Sequence, residues 1–229
     1  MRTFHGRGSP FLERPHFSDW EIDQMCEEAL LAVGLLPSNP EPIRVERFIE
    51  KRFGVSPVYE DLPAGVLGYT LFTDTGVRSV HVGNHLVGNG EKPLERRLNS
   101  TLAHEAGHCL MHAHLFAFKD VGLSLFGRDP DVSATKVLCR DAERQIRQTY
   151  DGRWWELQAN KSIGALLLPR RTLRTALEPF LIRPGELTEV TVPESLREDA
   201  VRSLAEIFDV NPAVSRIRLN TLYPLGDGG

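Results

Sequence analysis

The sequence predicts an α+β fold, in which a small sheet of about three strands packs on one long helix and a C-terminal helical segment follows. Three observations predict it. Apolar residues recur at helical spacing on both sides of the middle of the chain. Between residues 55 and 82 the pattern shortens to strand-like runs rich in β-branched and aromatic residues. Residues 98–112 then return to a helical pattern and carry an ionisable cluster on it. With 229 residues, 41% hydrophobic and 25% charged, the chain is long enough and apolar enough to bury a proper core.

In chain order, residues 1–17 are rich in Gly, Pro and Arg and read as a loose tail. Ser18-Asp19-Trp20-Glu21 is a capping box, so a helix should start at Ser18, present Ile22, Met25, Ala29 and Val33 on one face, and end at Gly34. A proline-rich link leads to a second helix over about residues 42–53, stopped by Gly54. Val55–Tyr59, Val66–Phe72 and Val77–Val82 are the three strands. Thr73-Asp74-Thr75-Gly76 makes the last two a hairpin. Phe116–Gly127 is apolar and should pack locally, and Ser133–Tyr150 has the spacing of an amphipathic surface helix, with Cys139 a packed residue inside it. A further helix runs from Trp154 to Leu168 and stops at Pro169, and Arg170–Ile182 is helical again. Pro193 and Asn211-Pro212 open the two last helices. The division expected is a tail (1–17), a main domain (18–182) and a C-terminal helical segment (183–229).

The chemistry concentrates in His104-Glu105-Ala106-Gly107-His108. On a helix, residues four apart lie about 40° apart, so both imidazoles share one face and can share one metal ion. Glu105 lies within the same broad arc, where it can act as a base toward water activated by that ion. Leu94, Leu98, Leu102, Ala106, Cys109, Leu110 and Ala113 supply the buried side of this helix. Gly107 weakens it by about 1 kcal/mol relative to Ala and so points to close approach of another backbone. A catalytic zinc usually takes three protein ligands, and Glu156 is the best source of the third. Asn160, four residues on, shares its face and can hold the outer nitrogen of a ligating His. His112 leans toward the same side, about 80° from His104, and is read as a hydrogen-bonded structural residue. His81 and His85, near the loop before this helix, are read as polar fillers.

These residues also carry a resemblance. His104–His108, preceded by Leu102-Ala103 and followed by His112, resembles the active helix of the ImmA/IrrE family of metallopeptidases. Glu156-Leu157-Gln158-Ala159-Asn160 with Leu166-Leu167-Leu168-Pro169 is similar to that family's second motif, and Arg96-Arg97 follows its order. The resemblance implies a zincin-like fold, Zn²⁺ held by His104, His108 and Glu156, and Glu105 as catalytic base. It also implies a selective bacterial endopeptidase acting on a regulatory protein such as a helix-turn-helix repressor, in stress response or mobile-element control. Two departures stand out: a longer stretch between the motifs, residues 109–155, and Asn99-Ser100-Thr101 where the family tends to have Arg-Phe-Thr. A peptide substrate could extend the sheet at an edge formed by Val77–Val82. Tyr69, Tyr150, His81 and several arginines are candidates to stabilise the transition state.

Two rival readings remain open at this level. One is a regulatory module whose zinc is closed off by His112 or Cys109. The other is DNA binding by the last two helices, with Arg216 and Arg218 facing the duplex. A net charge of −4 with mixed signs argues against general nucleic-acid or membrane binding. The three cysteines, Cys26, Cys109 and Cys139, fit a reducing compartment, and the N-terminus has no signal-peptide core, so a soluble cytoplasmic protein is expected.

Overall fold

The capping box at Ser18 forms as its sequence dictates. In the computed structural model, which describes residues 2–4, 14–88, 90–117, 135–140, 154–183 and 190–225, the Ser18 hydroxyl accepts from the Glu21 amide and the Glu21 carboxylate accepts from the Ser18 amide. Helix α1 (Asp19–Ala32) follows and buries Ile22, Cys26, Ala29 and Leu30 on one stripe. Helix α2 (Val45–Phe53) buries Val45, Phe48 and Ile49 and ends at Gly54.

Before α1, β1 (Arg2–Phe4) and β2 (Arg14–His16) pair antiparallel, with Thr3 opposite Pro15. The described part of the expected loose tail is therefore a two-stranded ribbon.

The main sheet has four strands in the order β3-β5-β4-β6, one more than expected. They are β3 (Val58–Glu60), β4 (Val66–Thr73), β5 (Gly76–Gly83) and β6 (Thr135–Arg140). The β4–β5 hairpin turns where predicted. The added strand corrects the amphipathic helix expected over Ser133–Tyr150: Thr135–Arg140 runs antiparallel to β4 instead. Its backbone hydrogen bonds go to a partner far away in sequence, and that pairing overrides local helical spacing. The rest of that expected helix, including Tyr150, and the apolar stretch from residue 118 on lie outside the described residues. The docking edge placed at Val77–Val82 is covered in part: β5 pairs with β4 on one side, and on the other with β3 at His81, Val82 and Gly83, which leaves Val77–Val80 without a ladder partner on that side among the described residues.

Helix α3 (Lys92–Met111) packs against α2 and against β4, β5 and β6 of the sheet. Helix α4 (Ala113–Ala117) continues from it, and α5 (Trp154–Leu167) packs along it. Then come α6 (Arg170–Leu177), α7 (Glu194–Ile207) and α8 (Pro212–Leu222), the last capped by the Asn211 side chain. The core runs continuously from Ile22, Leu30 and Phe48 through Val80, Val82, Leu102 and Ala106 to Leu166, Leu204, Phe208 and Leu219. Arg96 of α3 reaches Glu206 and Asp209, and so ties the C-terminal helices to that helix. No helix among the described residues is long and apolar enough to cross a membrane.

Candidate metal centre

The centre is built where α3 and α5 touch, and Gly107 lets them touch. A Cβ at Gly107 would lie 1.9 Å from the Ser162 hydroxyl oxygen and 3.3 Å from the Ala159 Cα. The close backbone approach inferred from sequence is present. Ser162 sits in this seam, its hydroxyl donating to the Ala159 carbonyl at 2.7 Å.

Across the seam the structure brings His104, His108 and Glu156 together, all three buried. His104 Nε2 and His108 Nε2 are 3.0 Å apart. Glu156 Oε2 lies 3.3 Å from His104 Nε2, and Glu156 Oε1 lies 3.6 Å from His108 Nε2. Zinc–ligand bonds of about 2.0–2.2 Å in tetrahedral array place ligand atoms about 3.3–3.6 Å from one another. The two histidine–carboxylate separations match that spacing, the histidine–histidine separation is about 0.3 Å shorter, and the nitrogen–oxygen chemistry suits a divalent cation.

Burial alone would push the Glu156 carboxyl up. Where the two imidazoles carry protons toward it, their N–H donation and charge outweigh that and hold it ionised, well below the usual carboxylate range, and a bound cation would supply the same positive charge. Burial likewise lowers His108, favouring the neutral ring that a metal requires.

Outer contacts fix the ligands. His104 Nδ1 is 3.0 Å from Asn160 Oδ1, the placement expected for Asn160. An amide oxygen only accepts, so Nδ1 donates to it and the His104 lone pair is left on Nε2. His112 is fully buried, with Nδ1 at 3.1 Å from His108 Nδ1 and Nε2 at 2.9 Å from Gln158 Oε1. Both His112 nitrogens are thus engaged behind His108. Burial, then the neighbouring His108, lower His112 to about 3.

Glu105 faces the sheet. Its Oε2 accepts from the Thr70 hydroxyl of β4 at 2.6 Å, while its Oε1 is buried with no partner among the described residues. Gly68 lets the strand come this close: a Cβ there would meet Glu105 Oε1 at 3.3 Å and the His81 carbonyl at 2.8 Å. Burial raises Glu105 to about 7. A buried carboxylate oxygen with an open lone pair beside the His/Glu group is placed to accept a proton.

Other candidates fall elsewhere. Along β4, Gly68 and Thr70 face α3, so Tyr69 points to the opposite side of the sheet. There it stacks on His81 with ring centroids 4.3 Å apart, and its hydroxyl donates to Glu60 at 2.6 Å. Tyr69 and His81 are therefore removed as groups that act at the centre. His85 is exposed in a turn of 3₁₀ helix (Asn84–Leu86). Cys109 is buried and outside the His/His/Glu group. Arg218 is buried against Asp23 at 2.6 Å and cannot face a duplex, and Arg216 pairs with Glu198.

Thr70 and Gln158 were not singled out from sequence. Thr70 carries a signal after the fact, a hydroxyl on the inward face of a strand between Gly68 and Phe72. Gln158 carries none by itself, since it lies between Glu156 and Asn160 but points to another neighbour.

No protein-family model matches the chain, and no curated protein is significantly similar to it.

Proposed function

We propose that this protein is a zinc-dependent endopeptidase of ImmA/IrrE type, with His104, His108 and Glu156 as metal ligands and Glu105 as general base. The observation that supports it best is the joint placement of a three-ligand group and a carboxylate whose Oε1 is buried without a partner among the described residues. Three protein ligands are the number that leaves a position for reaction, and neither His112 nor Cys109 joins them. That favours catalysis over a closed structural site.

Bound Zn²⁺ would supply Lewis acidity, polarising a carbonyl oxygen and making water more acidic. The chain's own residues do the rest. Glu105 Oε1 takes the proton from the attacking water and passes it to the departing amine. Thr70 holds the other carboxylate oxygen, so the base cannot rotate away. A group near neutral pKa suits both halves of that transfer. Asn160 keeps His104 in the tautomer that ligates through Nε2. The substrate class proposed is a regulatory protein of the bacterial cytoplasm, such as a helix-turn-helix repressor. This part rests on the motif resemblance alone.

The test is Glu105→Gln on a substrate found by incubating the metal-loaded protein with candidate regulators. Loss of a general base lowers cleavage by about 10²–10⁴-fold, with zinc still bound. Cleavage by the variant at the wild-type rate would refute the assignment.

A further inference from the structure

We propose that the N-terminal ribbon is a working part of the metal site: the Pro15 carbonyl, Gln158 and His112 form a relay that fixes His108 with its proton on Nδ1 and its lone pair on Nε2, aimed at the cation. This rests on the metal reading above and extends it to residues far outside the two motifs.

The relay starts from a group with only one role. A proline carbonyl accepts and cannot donate. Gln158 Nε2 lies 3.0 Å from the Pro15 oxygen, so the amide must turn its NH₂ toward β2. That leaves Gln158 Oε1 facing His112 Nε2 at 2.9 Å as an acceptor, and His112 must carry its proton on Nε2. His112 Nδ1 is then a bare acceptor. His108 Nδ1, 3.1 Å away, must donate to it. His108 Nε2 is left with its lone pair, on the side where His104 Nε2 and Glu156 stand. Each step has one permitted sense.

The setting keeps it so. Pro15, Gln158, His112 and His108 are all buried, so solvent does not exchange for any partner. Trp154 packs edge-on against the His112 ring, with centroids 5.7 Å apart and planes 79° apart. The ring cannot turn over without displacing a buried indole. The pairing of β1 with β2 in turn holds Pro15 in place, with Thr3 opposite it. Gln158 and His112 act as positioning residues, since neither touches the cation or a substrate.

The experiment uses full-length protein and Zn²⁺ in competition with a chromogenic chelator. Gln158→Met keeps the side-chain volume but removes both hydrogen bonds. Gln158→Glu keeps an acceptor for His112 and nearly the same shape but turns an oxygen toward the Pro15 carbonyl, so it removes the ribbon contact alone. The relay predicts a weakening of zinc affinity by about 10–100-fold for the Met variant and a smaller loss, of about threefold or more, for the Glu variant. Equal affinity of wild type and Gln158→Met overturns the relay and leaves the metal reading standing. Wild-type affinity in the Glu variant shows that the Pro15 contact contributes nothing and overturns the ribbon's part in the site. Failure of the wild type to bind zinc removes both together. A second measurement needs no variant: nitrogen-15 NMR of the histidine rings in the zinc-loaded protein. The relay predicts the proton on Nδ1 of His108 and on Nε2 of His112, and a proton on Nδ1 of His112 contradicts it.

Discussion

Two buried clusters of ionisable groups lie in one core, and they are built on opposite principles. Asp23 and Arg218 are both nearly sealed from solvent, and they pair at 2.6 Å with opposite charges, while Arg218 Nε also donates to the Leu168 carbonyl. That cluster neutralises itself. His104, His108 and Glu156 instead turn two nitrogens and a carboxylate toward one point, with separations of 3.0, 3.3 and 3.6 Å. Lone pairs gathered in a low-dielectric interior repel one another unless a positive charge joins them. The first cluster balances its charge within the chain, although Asp23 Oδ1 and Oδ2 and Arg218 Nη2 make no hydrogen bond among the described residues, and the second has the arrangement that could hold a cation. Buried ionisable groups point to a metal here only where they converge without an opposite charge from the chain.

The sharpest way to break that contrast is to spoil the self-neutralising cluster. Asp23→Ala strands a buried guanidinium and should destabilise the protein by about 3–5 kcal/mol in chemical denaturation, while Asp23→Leu with Arg218→Met should recover most of it. Zinc affinity of whatever remains folded should match wild type. A loss of affinity comparable to that of a ligand variant would show that the two clusters are not separable.

The next effect concerns the base beside the converging cluster. In chelator-treated protein Glu105 titrates near 7 rather than 4.5, because burial disfavours its charge. The folded state then holds a proton that the unfolded chain has already lost. The Glu105 contribution to stability should therefore fall as pH rises from about 4.5 to about 7, by at most about 3 kcal/mol, and level off above that, while the lowered His108 and His112 contribute a slope of opposite sign below about 6.5. Glu105→Gln should remove only the Glu105 contribution and so unfold at a higher temperature than wild type at pH 8, with the advantage vanishing near pH 4.5. Parallel pH profiles for the two proteins would rule out the burial cost assigned to Glu105.

The smallest effect lies in the seam that delivers Glu156 to the histidines. Gly107→Ala drives a methyl into Ser162, costing about 1–3 kcal/mol by overpacking, and Ser162→Gly in the same chain should restore part of it. No change in thermal midpoint for Gly107→Ala would mean that the helices part at little cost.

What sequence disclosed, and what it hid, follows the same division between local and distant causes. His104 with His108, and Glu156 with Asn160, are each set by one turn of helix, so their shared faces were readable from spacing alone. Ser18 and Glu21 cap α1 because the two residues meet within one turn. Gly107 announced the helix seam because a glycine inside a long helix has few other uses. Thr135–Arg140 misled, since its strand depends on β4, more than sixty residues earlier, as seen in the pairing of Thr70 with Val137. The cover that β3 gives the end of β5 was hidden for the same reason, as β3 joins it in parallel from outside the hairpin. Thr70, Gln158 and Pro15 belong to the site only through contacts spanning 35 to 143 residues in sequence. No periodicity encodes such contacts.

The most direct measurement is the metal content and zinc affinity of the full-length protein beside those of Glu156→Ala. The account predicts one tightly held zinc per chain in the wild type and a loss of about 1,000-fold or more in affinity, near 4 kcal/mol, when the carboxylate is removed. A wild-type protein that takes up no zinc, or a Glu156→Ala protein that holds it as tightly, would contradict the centre described here.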